Sequence, residues 1–182
     1  MIKDLFNQLS KYPMRLLHVM QVANVSKSLA LNYGLNGDDA YLAGLLHDYA
    51  KYETIDFYVN YLTKEERTLY INDQVNYHAI GAANYFSSKY YINEVVYDAI
   101  YYHVFGKPNM DDITKIVFIA DSVYLNGKYN SRYIYEVALR NLDEAVVIAL
   151  EMTFKHLEIK NLLPNKFQIE TYNFYKEVMK NE

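Results

Sequence analysis

Along nearly the whole chain, apolar residues recur three and four positions apart, the spacing that puts them on one face of a helix. In residues 15–33 (RLLHVMQVANVSKSLALNY), Leu16, Val19, Met20, Ala23 and Leu31 mark such a face, and Gly34 ends it. Asp38 and Asp39 are placed to cap a second helix, in which Leu42, Leu45, Leu46 and Tyr49 follow the same rule. Thr63 to Arg67 (TKEER) reads as a capped helix start. Helices are expected over residues 76–91 and 93–103, the latter broken by Gly106 and Pro108. Asp111 or Asp112 restarts the chain into residues 110–123, a long amphipathic segment covers Ser131 to Ile159, and Pro164 precedes a last helix over 168–180. With no repeats and no low-complexity linker, the pattern predicts one all-α domain over residues 1–182, packed as an irregular helical bundle. Its core spans about 15–125, and helices over about 131–182 complete it.

Composition narrows the classes open to such a bundle. Apolar residues make up 52% of 182, enough for a sizeable core, and no run of eighteen uncharged apolar residues could span a membrane. The opening MIKDLFNQLSKYPM carries acids and lacks the apolar stretch of a signal peptide, so a cytoplasmic location is expected. There is no cysteine, which leaves imidazole and carboxylate as the only strong metal ligands. A net charge of -4 argues against a nucleic-acid partner, which needs a basic footprint. The 21 tyrosines lack interleaved basic residues and so read as core rather than as a stacking surface.

The chemistry sits in the histidines. With five His and eleven Asp, the dipeptide His47-Asp48 should arise by chance about 0.3 times, so it needs company. His18, His78, His103 and Asp121 supply it. Each lies on or beside an apolar face, and each is on a different predicted helix, so a bundle can aim all of them at one point. His156, alone at the edge of an apolar face, reads instead as a hydrogen-bonded core residue. Asp121 within FIADSV needs a partner in any reading, because a buried unpaired carboxylate is costly. Six ligands exceed a closed tetrahedral zinc site and suit two ions sharing a carboxylate. Such pairs hydrolyse phosphate esters by clamping the attacking and leaving oxygens. Arg15, three residues before His18, and Lys51, three after Asp48, are spaced to share helix faces with them and would meet phosphate oxygens.

The order His18, His47-Asp48, His78, His103, Asp121 resembles that of the HD-domain metal phosphohydrolases, an all-helical superfamily. The strings RLLHVMQVA, AGLLHDYAK, HAIGA, YHVFGKPNM and KIVFIAD, with LDEAV further on, are similar to its YqeK branch, the bacterial symmetrical diadenosine tetraphosphate hydrolases. The resemblance implies a single HD domain with a dimetal centre, most often iron, with manganese or zinc as alternatives. By carry-over, His18, His47, Asp48 and Asp121 would hold one ion and His78 and His103 the other, with Asp48 bridging. Asp48 and Lys51 would carry the catalytic roles, and Arg15, Lys51, Gly106 and Lys128 would meet the substrate. That substrate would be diadenosine tetraphosphate, split by water into two ADP. Another nucleotide substrate, a guanosine polyphosphate or a nucleoside monophosphate, and a non-catalytic nucleotide-sensing module are the alternatives. Three stretches depart from the family's pattern. Val104-Phe105-Gly106 stands for Thr-Thr-Gly, residues 123–128 for Ile-Glu-Pro-Gly-Arg, and Leu162-Leu163-Pro164 for Ile-His-Pro. All three are expected on loops lining the nucleotide pocket. Neither a membrane nor a nucleic-acid partner is implied, and a homodimer is permitted.

Overall fold

Local capping chemistry decides where the helices begin and end in the computed structural model. It describes residues 1–125 and 128–181, with side chains described outside 124–131. Among the described residues there are eleven α-helices and no strand. The first, α1 (Ile2–Leu9), buries Leu5 and Leu9 and was not expected from the pattern. Pro13 opens α2 (Pro13–Asn32), where a fixed φ suits the first turn and the missing N–H goes unmissed. Its buried face is Val19, Val22, Ala23, Ser26, Leu29 and Ala30; the expected Met20 and Leu31 are exposed. Gly34, at φ 67°, then reverses the chain in the left-handed region.

The cap of α3 (Gly37–Leu46) is Asn36 rather than Asp38 or Asp39. Its side-chain oxygen accepts from the backbone N–H groups of both aspartates, at 3.0 and 3.3 Å. The helix also stops at Leu46, so His47, Asp48 and Tyr49 lie in successive turns rather than on a continuing helix. Next come α4 (Ile55–Tyr61), also unexpected, and α5 (Lys64–Leu69), which starts with the Thr63–Glu66 capping box anticipated in TKEER. A 3-10 turn over Gln74–Asn76 leads into α6 (Tyr77–Lys89), and Asn93 caps α7 (Glu94–Tyr101). Asp111 accepts from the Thr114 N–H at 3.0 Å where α8 (Asp112–Leu125) begins.

The expected single segment over Ser131 to Ile159 is two helices, α9 (Lys128–Ala138) and α10 (Leu142–Ile159). Asn141 makes the break, accepting from the Glu144 N–H at 2.9 Å. Finally, α11 (Lys166–Asn181) packs on α10.

Helices α2, α3 and α8 form the centre, with α7 and α10 against α8 and α6 against α7. Leu46, Phe86, Ile100, Ile116, Ile119 and Leu150 are fully buried there, each contributing about 1.5–3 kcal/mol relative to exposure. Helix α3 packs backbone to backbone on α2 at Gly44. A Cβ there would lie 2.9 Å from Ala23 Cα, so only glycine lets α3 come this close to α2. From α11, Thr171 donates to the Phe105 carbonyl at 3.1 Å, and the Tyr175 hydroxyl accepts from the Met110 N–H at 2.8 Å. The last helix thereby fixes the loop between α7 and α8.

Candidate metal centre

Five pieces of backbone converge on one point. His18 comes from α2, His47 and Asp48 from the turn after α3, and His78 from the first turn of α6. His103 comes from the turn after α7, and Asp121 from α8. His103 follows its helix instead of ending it, since α7 stops at Tyr101.

Three of the rings are locked by the same device. Nδ1–H donates to the carbonyl three residues back at 2.7 Å: His47 to Gly44, His78 to Val75, His103 to Ile100. A carbonyl can only accept, so Nδ1 carries a proton in each ring and Nε2 is turned inward.

Asp48 faces two ways. Its Oδ2 lies 3.4 Å from His47 Nε2 and 3.7 Å from His18 Nε2, beside Asp121 Oδ1, which is 3.0 Å from His18 and 3.6 Å from His47. Its Oδ1 lies 3.0 Å from His78 Nε2 and 3.7 Å from His103 Nε2, and those two nitrogens are 3.1 Å apart. The carboxylate thus stands between a His18–His47–Asp121 half and a His78–His103 half.

Two cations close the mouth. Arg15 donates to Asp48 Oδ2 at 2.5 Å and is 20% exposed; Lys51 Nζ is 3.7 Å from Asp48 Oδ1 and 31% exposed. The Lys51 contact arises from a turn, with Lys51 N–H on the Asp48 carbonyl at 3.0 Å, and not from the shared helix face expected. Tyr52 was not singled out in the sequence. Its ring packs against Tyr12, centroids 4.1 Å apart and tilted by 31°, and lies 6.0 Å from the Arg15 guanidinium.

The electrostatics follow from burial set against charge. Burial opposes the carboxylate of Asp48, yet the His47 charge and the imidazoles of His103, His47 and His78 close around it hold it well below the usual range. Burial likewise opposes Asp121, and the adjacent His18 and His47 rings outweigh it and lower its pKa. For His47, burial is outweighed by the Asp48 charge and by the nearby carboxylate of Asp121, which push it up to about 10. Burial prevails at His78, which is lowered, and at His103, which falls to about 4. Both carboxylates are therefore charged at neutral pH, beside the His47 imidazolium and the two cations at the mouth.

His18 Nε2, His47 Nε2 and Asp48 Oδ1 are buried without a partner in hydrogen-bonding geometry, although charged neighbours lie close. Such orphans are costly and recur where an ion completes the set. Ligand atoms of His18, His47 and Asp121, and of His47, Asp48 and His103, lie within 4.8 Å of one another in each group. An all-imidazole and carboxylate donor set of this kind fits a divalent ion such as iron, manganese or zinc.

The remaining sequence-picked residues lie elsewhere or serve packing. Gly106 is buried at φ 67°, and a Cβ would meet Thr171 at 2.8 Å, so its glycine is required by the turn against α11. Phe105 is buried and stacked on Phe167, 6.1 Å between centroids, in a small satellite core with Tyr70 and Ile80. The change from Thr-Thr-Gly is thus a packing change at that position. Val123 is buried in α8, not on a loop, while Asn126, Gly127 and the Lys128 side chain fall outside the described residues. His156 is exposed on α10, which corrects its expected core role.

The HD domain family model matches residues 15–125, a span that holds all six converging residues. The Bacillus subtilis symmetrical bis(5'-nucleosyl)-tetraphosphatase is 26% identical over 166 residues, covering 88% of each chain. The Halalkalibacterium halodurans protein of the same description is 29% identical over 164 residues, covering 87% of each. A Clostridium acetobutylicum crystal structure, described as a predicted HD superfamily hydrolase involved in NAD metabolism, superposes with a TM-score of 0.82. It is 24% identical, over 96% of this chain and 94% of that one, which establishes the shared fold.

Proposed function

The chain belongs to the HD domain family, a hydrolase by that kinship, and from this premise we propose that it splits diadenosine tetraphosphate symmetrically into two ADP. The carrying observation is Asp48, whose two oxygens face two separate groups of ligand atoms, as a carboxylate bridging two ions must. In this reading His18, His47, Asp48 and Asp121 hold one ion and Asp48, His78 and His103 the other. When bound, the ion pair supplies an acidified water and charge stabilisation for a phosphoryl group.

The chain's own residues do the rest. The Nδ1–carbonyl bonds keep three rings oriented, so little reorganisation is needed as ligands are engaged. Arg15 presents a planar fork and Lys51 a point charge at the mouth, suited to phosphate oxygens of a polyphosphate chain. Symmetrical cleavage breaks the central P–O bond: the water oxygen joins one central phosphorus, and the other ADP leaves with the bridging oxygen. Two relatives described as symmetrical bis(5'-nucleosyl)-tetraphosphatases support this substrate over other nucleotides.

The test is a turnover panel. Protein loaded with iron or manganese is given diadenosine tetraphosphate, guanosine polyphosphates and nucleoside monophosphates. ADP as the sole product from the first, lost in Asp48→Asn together with the second metal equivalent, is expected. Two bound metals with no turnover of diadenosine tetraphosphate would sink the proposal, and turnover of another member of the panel in its place would select that nucleotide.

A further inference from the structure

The His78–His103 half carries a cation of its own. Both rings commit Nδ1–H to a backbone carbonyl, so both Nε2 atoms present a single lone pair, and those lone pairs stand 3.1 Å apart. Asp48 Oδ1, 3.0 Å from His78 Nε2, adds a third acceptor. Three acceptors this close repel unless positive charge lies against them. Lys51 supplies it: Nζ donates to His78 Nε2 at 3.1 Å and is 3.7 Å from Asp48 Oδ1. These are the atoms that a second ion would need.

We propose that the Lys51 ammonium and a second metal ion exclude one another from the His78–His103 half, so that this half loads only as Lys51 swings out. The inference rests on the dimetal reading above. Exclusion follows from the lone-pair count, since His78 Nε2 has one and cannot serve an N–H donor and a metal together. Charge adds to it, because a divalent ion and an ammonium within about 4 Å repel by several RT even at an intermediate dielectric. In the other half, the Nε2 atoms of His18 and His47 have no hydrogen-bond partner, so no donor there occupies a ring lone pair. Arg15 engages Asp48 Oδ2 there, a carboxylate oxygen with a further lone pair to offer.

The backbone permits the exchange. Lys51 N–H is held on the Asp48 carbonyl at 3.0 Å, while its four-carbon stem is 31% exposed and free to carry the ammonium toward solvent. Swung out, Lys51 stands at the mouth, where an anionic phosphate chain would meet it. Filling of the second position therefore makes a phosphate-binding cation available at the same moment.

The full chain, stripped by chelator, is titrated anaerobically with Mn²⁺ alone and followed by calorimetry, metal analysis and the spin-coupled dimanganese resonance signal. Wild type is expected to take two ions in unequal steps. Lys51→Met should tighten the second step on the order of tenfold, about 1.4 kcal/mol, and leave the first unchanged. Lys51→Ala, which likewise removes both the donor and the charge, should behave the same way and guards against a side-chain artefact in the first variant. A second step that is unchanged or weaker in both variants overturns the Lys51 inference and leaves the dimetal reading standing. A single ion in all three proteins overturns both.

Discussion

Asp48 and His47 are neighbours in sequence whose charges depend on each other, and that dependence predicts how stability responds to pH. The His47 pKa is raised to about 10 in the folded chain, so its contribution is complete below the unfolded value near 6.5 and is lost as pH rises toward 10. Asp48 and Asp121 are lowered, so their contribution is present above the usual carboxylate range and is lost as pH falls below about 4. His78 and His103, lowered by burial, work the other way and cost stability as pH falls from about 6.5 toward 4. The chelator-stripped protein should therefore melt highest near pH 6.5, with its midpoint declining toward both pH 4 and pH 10. Scanning calorimetry across that range checks this, and a flat profile between pH 6.5 and 10 would contradict it. Metal-loaded protein should lack the alkaline decline, because an ion replaces the His47 proton. Arg15 makes a separate prediction. Its guanidinium touches Asp48 Oδ2 but no imidazole, so Arg15→Ala should raise KM for diadenosine tetraphosphate by about tenfold, the worth of one charge-assisted contact. Metal content, read by plasma mass spectrometry, should stay at the wild-type value. Loss of metal would mean that Arg15 belongs to the ligand support rather than to substrate binding.

At the scale of elements, the ends of helices build the site more than their faces do, and this decided what the sequence could reveal. Helical periodicity located α2, α6, α8 and α11, and the six polar residues interrupting apolar faces pointed to one centre. Periodicity could not find the stops. It ran α3 on through Tyr49, whereas the chain turns after Leu46, and it ran α9 and α10 together across Asn141. It also overlooked α1 and α4, which are eight and seven residues long, too short to display two turns of pattern clearly. Caps fooled it because Asn36 and Asp38 both suit the role, and only the backbone decides between them. The carbonyls of Gly44, Val75 and Ile100 leave no mark on residue type, so the locks on His47, His78 and His103 were invisible. Gly44 serves twice, accepting from His47 and letting α3 approach α2. Gly44→Ala would force a Cβ to 2.9 Å from Ala23 Cα, where backbone rather than a flexible side chain must yield. A loss of about 1–3 kcal/mol is expected, as for overpacked cores, along with a fall in bound metal as His18 and His47 separate. Urea denaturation and metal analysis together check this; a stable variant with full metal would show that the crossing is slack.

The molecule as a whole is held by this centre as much as the centre is held by the molecule. Its six residues run from 18 to 121 and tie α2, α6 and α8 to the turns after α3 and α7. An ion bound there joins segments that are far apart in an unfolded chain, and anything that binds only the native state stabilises it by mass action. At a free ion concentration one hundred times Kd, the gain is about 2.7 kcal/mol. For a chain of this size each kcal/mol moves Tm by about 2–4 °C, so chelation should lower Tm by about 5–10 °C. The scaffold outside residues 15–125 can be separated from that effect through α11. Tyr175 lies on α11 and holds the Met110 N–H, in the loop that begins just past His103. Tyr175→Phe strands a buried donor and should cost about 1–3 kcal/mol whether or not metal is present. His103→Ala removes a proposed ligand of the second half instead, so it should shrink the gap between loaded and chelated melting points while leaving two-state unfolding intact. If Tyr175→Phe closed the gap as His103→Ala does, α11 would be tuning the metal site itself; parallel shifts with and without metal would assign it to support of the fold alone.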